Sequence, residues 1–297
     1  SPVPSPPSPV LRLPSPSSMP FHLVSYATTN YRHRQILLAA SGLANGVVAT
    51  ATSWTLPKLQ HSEFPHLAPD ISLTERGSGF WAWKPFIIQQ ALDAVPDGEI
   101  VFYCDVGRKY PYILLDHHLT PFVKWMDDHK QDIMPGVNIP WNGSMEIWTK
   151  RAAFTGTDMD RPEIHEASPI QASFSLWRAS QKSKAFVAEW LSFCVQRQLV
   201  SDEPSKTSFP ESPRFRGHRH DQSLLTLCCL KHGIRGIDLG NEMPAFNERD
   251  PGQISEYLAN TQALATFKGS LIRHLAKPIQ TVEQKLRERI AFGKKYE

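Results

Sequence analysis

Apolar and polar positions along the chain fall into two kinds of run that alternate. "FHLVSYAT" (21–28) is short and rich in branched and aromatic residues, as a buried strand is. "RHRQILLAASGLA" (32–44) switches to helical spacing and stops before Asn45-Gly46, a helix terminator. "GVVATATSW" (46–54) predicts a second strand, followed by an irregular, proline-dotted stretch over 55–75. "KPFIIQQALDAV" (84–95) predicts a helix that tolerates Pro85 in its first turn. Pro96-Asp97-Gly98 then turns the chain into an apolar run from Ile100 to Cys104, which ends abruptly in Asp105-Val106-Gly107.

The second half repeats the alternation. "LTPFVKWMDDHKQ" (119–131) is helical, and "DIMPGVNI" (132–139) reads as an edge segment. In "SPIQASFSLWRAS" (168–180) the period of two puts Gln171, Ser173, Ser175 and Trp177 on one side, with Ala172, Phe174 and Leu176 on the other. That predicts a half-buried strand whose polar side is either water-facing or turned to a ligand. "SKAFVAEWLSFCVQRQL" (183–199) is an amphipathic helix. A polar linker (200–217) leads to "HDQSLLTLCCLKHG" (220–233), a helix stopped by Gly233, and "IRGIDL" (234–239) predicts a last short strand. Strands alternating with helices predict an α/β sheet covered by helices on both faces. Ligands of such sheets bind beyond the carboxyl ends of the strands. Asp105 belongs there: a carboxylate that ends a buried strand caps a turn, pairs with a base, or holds a hard cation.

Composition narrows the classes. Of 297 residues 41% are hydrophobic and 21% charged, an ordinary globular balance, and the net charge of +3 is too small to point to nucleic acid. No apolar run approaches the ~18–20 residues that span a bilayer. Eight of the 25 prolines fall in the first 20 residues, so "SPVPSPPSPVLRLPSPSS" is expected to stay outside the fold, as a terminal tail or as a stem to something upstream. The predicted organisation is this leader over 1–20 and one domain over 21–297. A truncated stem would imply a Golgi-lumenal enzyme attached to the membrane through an upstream segment; otherwise the chain would be cytoplasmic. Cys104, Cys194, Cys228 and Cys229 lie in apolar runs without zinc-site spacing and are expected to be buried thiols.

Three segments carry chemistry, and together they resemble a family. An apolar strand ending in an acid resembles the GT-A class of nucleotide-sugar-dependent glycosyltransferases, whose D-x-D motif is reduced here to Asp105-Val106-Gly107. "GSGFWAWKPFII" (77–88) and "FRGHRHDQSLLT" (215–226) resemble the W-x-W-K-P and H-R-x-D-Q-S segments of a set of glycosyltransferases that also carry D-x-G. The resemblance covers about residues 20 to 240 and implies a GT-A-like, Rossmann-like α/β domain. It implies transfer of a sugar from a nucleotide-diphosphate donor to a hydroxyl of a glycan, lipid or protein, assisted by Mn²⁺ or Mg²⁺. In that reading Tyr26, Thr28, Lys84, Asp105 and Gly107 bind the donor. Trp83, Gln171, Ser173 and Trp177 bind the acceptor. Asp221 and Gln222 are catalytic, and Asp105 with His220 and His274 would form the metal set. The acid missing at position 107 also allows a carbohydrate-binding or scaffold protein that kept the fold without the chemistry. A nucleotidyltransferase would need a glycine-rich basic loop after the first strand, where this chain has "YATTNYRHR".

Overall fold

The computed structural model describes residues 20–106, 114, 119–238 and 242. Gly107, His274 and nearly all of the proline-rich leader lie outside the described residues. The chain enters on β1 (Phe21–Ala27), followed by α1 (Arg32–Ala44) and β2 (Thr50–Thr55). The stretch expected to be irregular forms two short helices, α2 (Leu56–Gln60) and α3 (Phe64–Leu67), with prolines in their first turns, where the missing N–H is not needed. A left-handed turn, α4 (Arg76–Phe80), then feeds α5 (Trp83–Asp93), and β3 (Ile100–Cys104) follows.

Beyond β3 come α6 (Thr120–Asp128), β4 (Ile133–Met134) and β5 (Val137–Asn138), which Pro135-Gly136 separates. Three short helices, α7 (Met145–Trp148), α8 (Arg151–Gly156) and α9 (Pro162–His165), precede β6 (Ile170–Gln171) and β7 (Phe174–Arg178). The last elements are α10 (Gln181–Cys194), α11 (Arg197–Val200) and α12 (Asp221–His232). Ser180 Oγ caps α10 by accepting from Ser183 N, and Gly233, at φ 64°, closes α12 in the left-handed conformation.

The central sheet has the order β2-β1-β3-β7-β4. β1 runs parallel to β2 and β3, whereas β7 is antiparallel to both β3 and β4, so the sheet is mixed. Apolar clusters lie on both faces. One joins Val101, Tyr103 and Trp177 to α5, α10 and α12; the other joins Phe102, Phe174 and Leu176 to α1 and α6. The fold is thus mixed α/β, a five-stranded sheet flanked by helices, as the alternation predicts.

Four expectations change. The strand over 168–180 breaks at Ala172-Ser173 into β6, in a small sheet with β5, and β7. β7 is an interior strand with apolar clusters packed on both its faces, so its alternation of polar and apolar residues does not mark a wet side. Trp177 is therefore a core residue: its ring stacks on Trp190 at 6.1 Å and its Nε1 donates to Ser175 Oγ. The final strand shrinks to one bridge, Ile237 with Val137, and the helix over 183–199 ends at Cys194 before the separate turn α11. All four cysteines are buried free thiols.

Candidate functional site

Lys84, in the first turn of α5, is a buried cation, and a buried ammonium needs partners for its charge and its protons. It finds three. Nζ donates to the Ala172 carbonyl at 3.0 Å, sits 2.7 Å from Asp221 Oδ2, and lies 3.7 Å from Asp105 Oδ1. Asp105 stands just past the carboxyl end of β3, Asp221 is the first residue of α12, and Ala172 is in the break between β6 and β7. Four elements far apart in sequence meet on one side chain.

Each carboxylate has its own environment. Asp221 is buried, and apart from Lys84 its Oδ2 has no donor among the described residues. Burial, with a smaller push from the nearby Asp105 charge, raises its carboxyl to about 6 against the pull of Lys84. Its backbone carbonyl accepts from Trp190 Nε1 at 3.1 Å, which ties the start of α12 to α10. Asp105 is the open member, with its side chain 39% exposed. The Tyr103 hydroxyl donates to Oδ1, and Asp105 N donates to the Ser173 carbonyl at 2.7 Å. Burial, then the Asp105 charge, holds the Tyr103 phenol well above its ordinary range, so it stays a donor. Burial alone would lower the Lys84 ammonium, but attraction to Asp105 and then Asp221 outweighs it and the net shift is upward. Two carboxylates against one ammonium leave one net negative charge, carried toward solvent by Asp105.

The left-handed turn shapes the approach to Lys84. Gly77, Ser78, Gly79, Phe80 and Trp81 all have φ between 54° and 87°. A Cβ on Gly79 would lie 2.7 Å from Ile71 Cγ2, and one on Gly77 would meet the Trp81 ring at 2.4 Å. The turn presents Ser78 Oγ to the Tyr26 hydroxyl at 2.8 Å. His220, immediately before Asp221, is strained as well: its φ of 52° is unusual for a side-chain-bearing residue, and it is held by Nδ1 on the Val200 carbonyl and by the Phe80 and Trp81 rings.

The expected site residues divide accordingly. Lys84, Asp105, Asp221 and the backbone of Ser173 come together, and Gln222 follows Asp221 on the first turn of α12, half-buried. Thr28 lies at the end of β1 and is partly open. Gln171 is half-buried in the small sheet, paired with Val137. Tyr26 ends β1 as expected, but its ring is packed against Trp83 at 4.1 Å and its hydroxyl is taken by Ser78, so it is no open platform for a base. Trp83 is buried with Nε1 on the Gly77 carbonyl, which removes it, like Trp177, from any acceptor surface; Trp81 is the more exposed of the pair. Lys84 is enclosed by its own partners and does not reach out to a phosphate. Asp221 does not cap α12, because His220 occupies that position.

The metal set implied by the resemblance is not formed among the described residues, which contain no group of three His, Cys, Asp or Glu placed to hold a metal ion. His220 has Nδ1 on the Val200 carbonyl and Nε2 facing Asp202 at 3.5 Å, with Phe80 and Trp81 against its ring, and it forms no such group with Asp105. The exposed, net-negative carboxylate of Asp105 still suits a hard cation, since Mg²⁺ and Mn²⁺ are often held by one carboxylate together with substrate phosphates. Tyr103, a participant that residue types did not nominate, was legible in principle. Its position two residues before Asp105 puts both on one face of an extended strand.

No protein-family model matches the chain, and no curated protein matches it. Among solved structures, one distant match is that of WbbM, a bifunctional glycosyltransferase in its apo form. The TM-score is 0.39 at 13% identity, over 83% of this chain and 45% of that chain. No helix among the described residues is long and apolar enough to cross a membrane.

Proposed function

We propose that the chain is a glycosyltransferase that moves a sugar from a nucleotide-diphosphate donor to a hydroxyl of a glycan, lipid or protein. One observation carries the reading. The three segments that resemble those of glycosyltransferases each supply one member of a single cluster: Lys84 from 77–88, Asp105 at the end of β3, and Asp221 from 215–226. In this reading Asp105 faces the donor diphosphate and, with it, would hold Mn²⁺ or Mg²⁺. When bound, that ion supplies neutralising charge to the leaving group. Asp221 accepts the proton of the acceptor hydroxyl or faces the positive charge that develops at the anomeric carbon. Lys84 holds both carboxylates in place and keeps Asp221 ionised at neutral pH despite its burial. Thr28 borders the donor, and Gln171 and Ser173 border the acceptor.

A second reading has its own support. Asp221 is buried and ion-paired as a purely structural counter-ion would be, which suits a carbohydrate-binding or scaffold protein on this fold. A thermal-shift screen of nucleotide sugars with Mn²⁺, followed by assay of sugar release or transfer, separates the two. A donor at ~100 times its dissociation constant raises stability by about 2.7 kcal/mol. Asp105→Asn, neutral and nearly isosteric, is expected to keep the fold and lose the metal-dependent part of donor binding. If it binds the metal–nucleotide pair as well as the parent, the donor role of Asp105 is wrong. Binding without turnover by the parent would favour the second reading.

A further inference from the structure

Outside the carboxylate cluster, a cavity of about 660 Å³ lies beneath the segment 201–218, and the proposed reaction does not use it. Its wall includes Lys150, Asp202, Glu203, Phe209, Glu211 and Phe215. We infer that this cavity is a saccharide-binding site, with Phe209 as the platform on which a sugar ring rests.

The chemistry of the wall selects the ligand. Its carboxylates already have local partners. Glu203 Oε1 takes Arg197 Nε at 2.7 Å, Glu211 Oε2 takes the Arg151 backbone N–H at 2.7 Å, and Asp202 faces Arg76 at 3.9 Å. Glu211, Glu203 and Asp202 also act on the Lys150 ammonium, so an amine meets carboxylates whose charge is in part already offset. An anion meets only Lys150, whose buried Nζ is turned to the carbonyls of Ser201 and Glu203. His218, on the same wall, is buried and adds no positive charge at neutral pH: burial, then His220 and Lys150, hold it well below its ordinary range. What remains are acceptor lone pairs on carboxylates and carbonyls and the Ser208 hydroxyl, while Ser205 Oγ accepts from Ala152 N and the Thr207 hydroxyl donates to the Phe209 carbonyl. A neutral ligand rich in hydroxyl donors fits that surface.

The ring of Phe209 supplies the apolar half of such recognition. It is 61% exposed, among the few large hydrophobic side chains left open on the described surface, and it lies at the cavity. The C–H face of a pyranose would cover it, as apolar surface favours. One side-chain contact links the cavity wall to the neighbourhood of the carboxylate cluster. Asp202 faces the buried Nε2 of His220 at 3.5 Å, and that nitrogen has no hydrogen-bond partner. His220 directly precedes Asp221. As an acceptor site the cavity rests on the transferase reading; as a saccharide site it does not.

The test titrates the full chain, without nucleotide, with methyl glycosides of glucose, galactose, mannose and N-acetylglucosamine and with lactose and cellobiose. Binding is followed by ligand-observed NMR. At least one is expected to bind with a dissociation constant of about a millimolar or below, a free energy near 4 kcal/mol. Phe209→Ala is expected to weaken it about tenfold, and Phe209→Tyr to retain it. Phe209 is exposed, so neither variant should unfold, and melting temperatures check this. Glu211→Gln, which keeps an acceptor for Arg151 N, should weaken binding less than Phe209→Ala. Failure of every sugar to bind, or binding that Phe209→Ala leaves unchanged, overturns the inference. Saccharide binding that persists in a chain that binds no nucleotide sugar upholds the cavity and rejects the transferase reading.

Discussion

At the scale of single residues, the balance between Asp221 and Lys84 decides what the cluster can do. Removing the cation from a buried pair leaves uncompensated charge, and Lys84→Met is expected to cost about 3–5 kcal/mol in urea-induced unfolding. A loss below about 1 kcal/mol would mean that water reaches the carboxylates. Asp221→Asn keeps the shape and removes the base. If Asp221 handles the acceptor proton, turnover falls by a factor of about 10²–10⁴ while donor affinity stays within a few-fold. The same role fixes a pH dependence. A base must be ionised, so kcat of the parent should rise with pH through about 6, the range to which burial moves Asp221. A pH-independent kcat between 5 and 7 would remove Asp221 from the rate-limiting proton transfer.

At the scale of elements, two pieces hold the cluster in register. The left-handed turn before α5 is one, and glycine is needed in it for conformation and for space. Gly79→Ala would place a methyl at φ 87° against Ile71 and is expected to cost about 1–3 kcal/mol, read as a lowered midpoint in urea. β7 is the other. Trp177 fills the space between this strand and α10, so Trp177→Ala should destabilise by about 3–5 kcal/mol whether or not ligand is present. A change in acceptor affinity without a change in stability would restore Trp177 to the surface role that alternation gave it. Alternation misled there because a period of two reports which side chains share a face; it does not say whether the other face is wet.

At the scale of the whole molecule, folding stability depends on pH through groups that titrate differently in the folded and unfolded chain. His218 is depressed when folded, so its contribution is complete above its unfolded value near 6.5 and is lost as pH falls below it. Asp221 is raised from 3.8 to about 6, so its contribution is complete below about 3.8 and is lost as pH rises through 6. The two oppose each other on acidification. Asparagine resembles the protonated acid, so the stability of Asp221→Asn relative to the parent should improve between pH 4 and pH 7. Melting curves of both proteins across that range check it, and a constant difference would show that Asp221 titrates alike in both states.

The sequence by itself determined the order of the longer strands and helices, because the periods of two and 3.6 are local, and so are the stops at Asn45-Gly46 and Gly233. It also nominated Asp105, an acid at the end of an apolar run, and the resemblance carried by its motifs nominated Lys84 and Asp221. Only the tertiary structure decided that these three meet, that β7 lies between β3 and β4, and that Tyr26, Trp83 and Trp177 are enclosed. Pairing between strands and the direction of a buried ammonium depend on contacts between residues 21 to 137 positions apart. No local period encodes those contacts. The cavity under 201–218 belongs to the same class: its residues read as a polar linker, and packing against Lys150 and His218 makes them a wall.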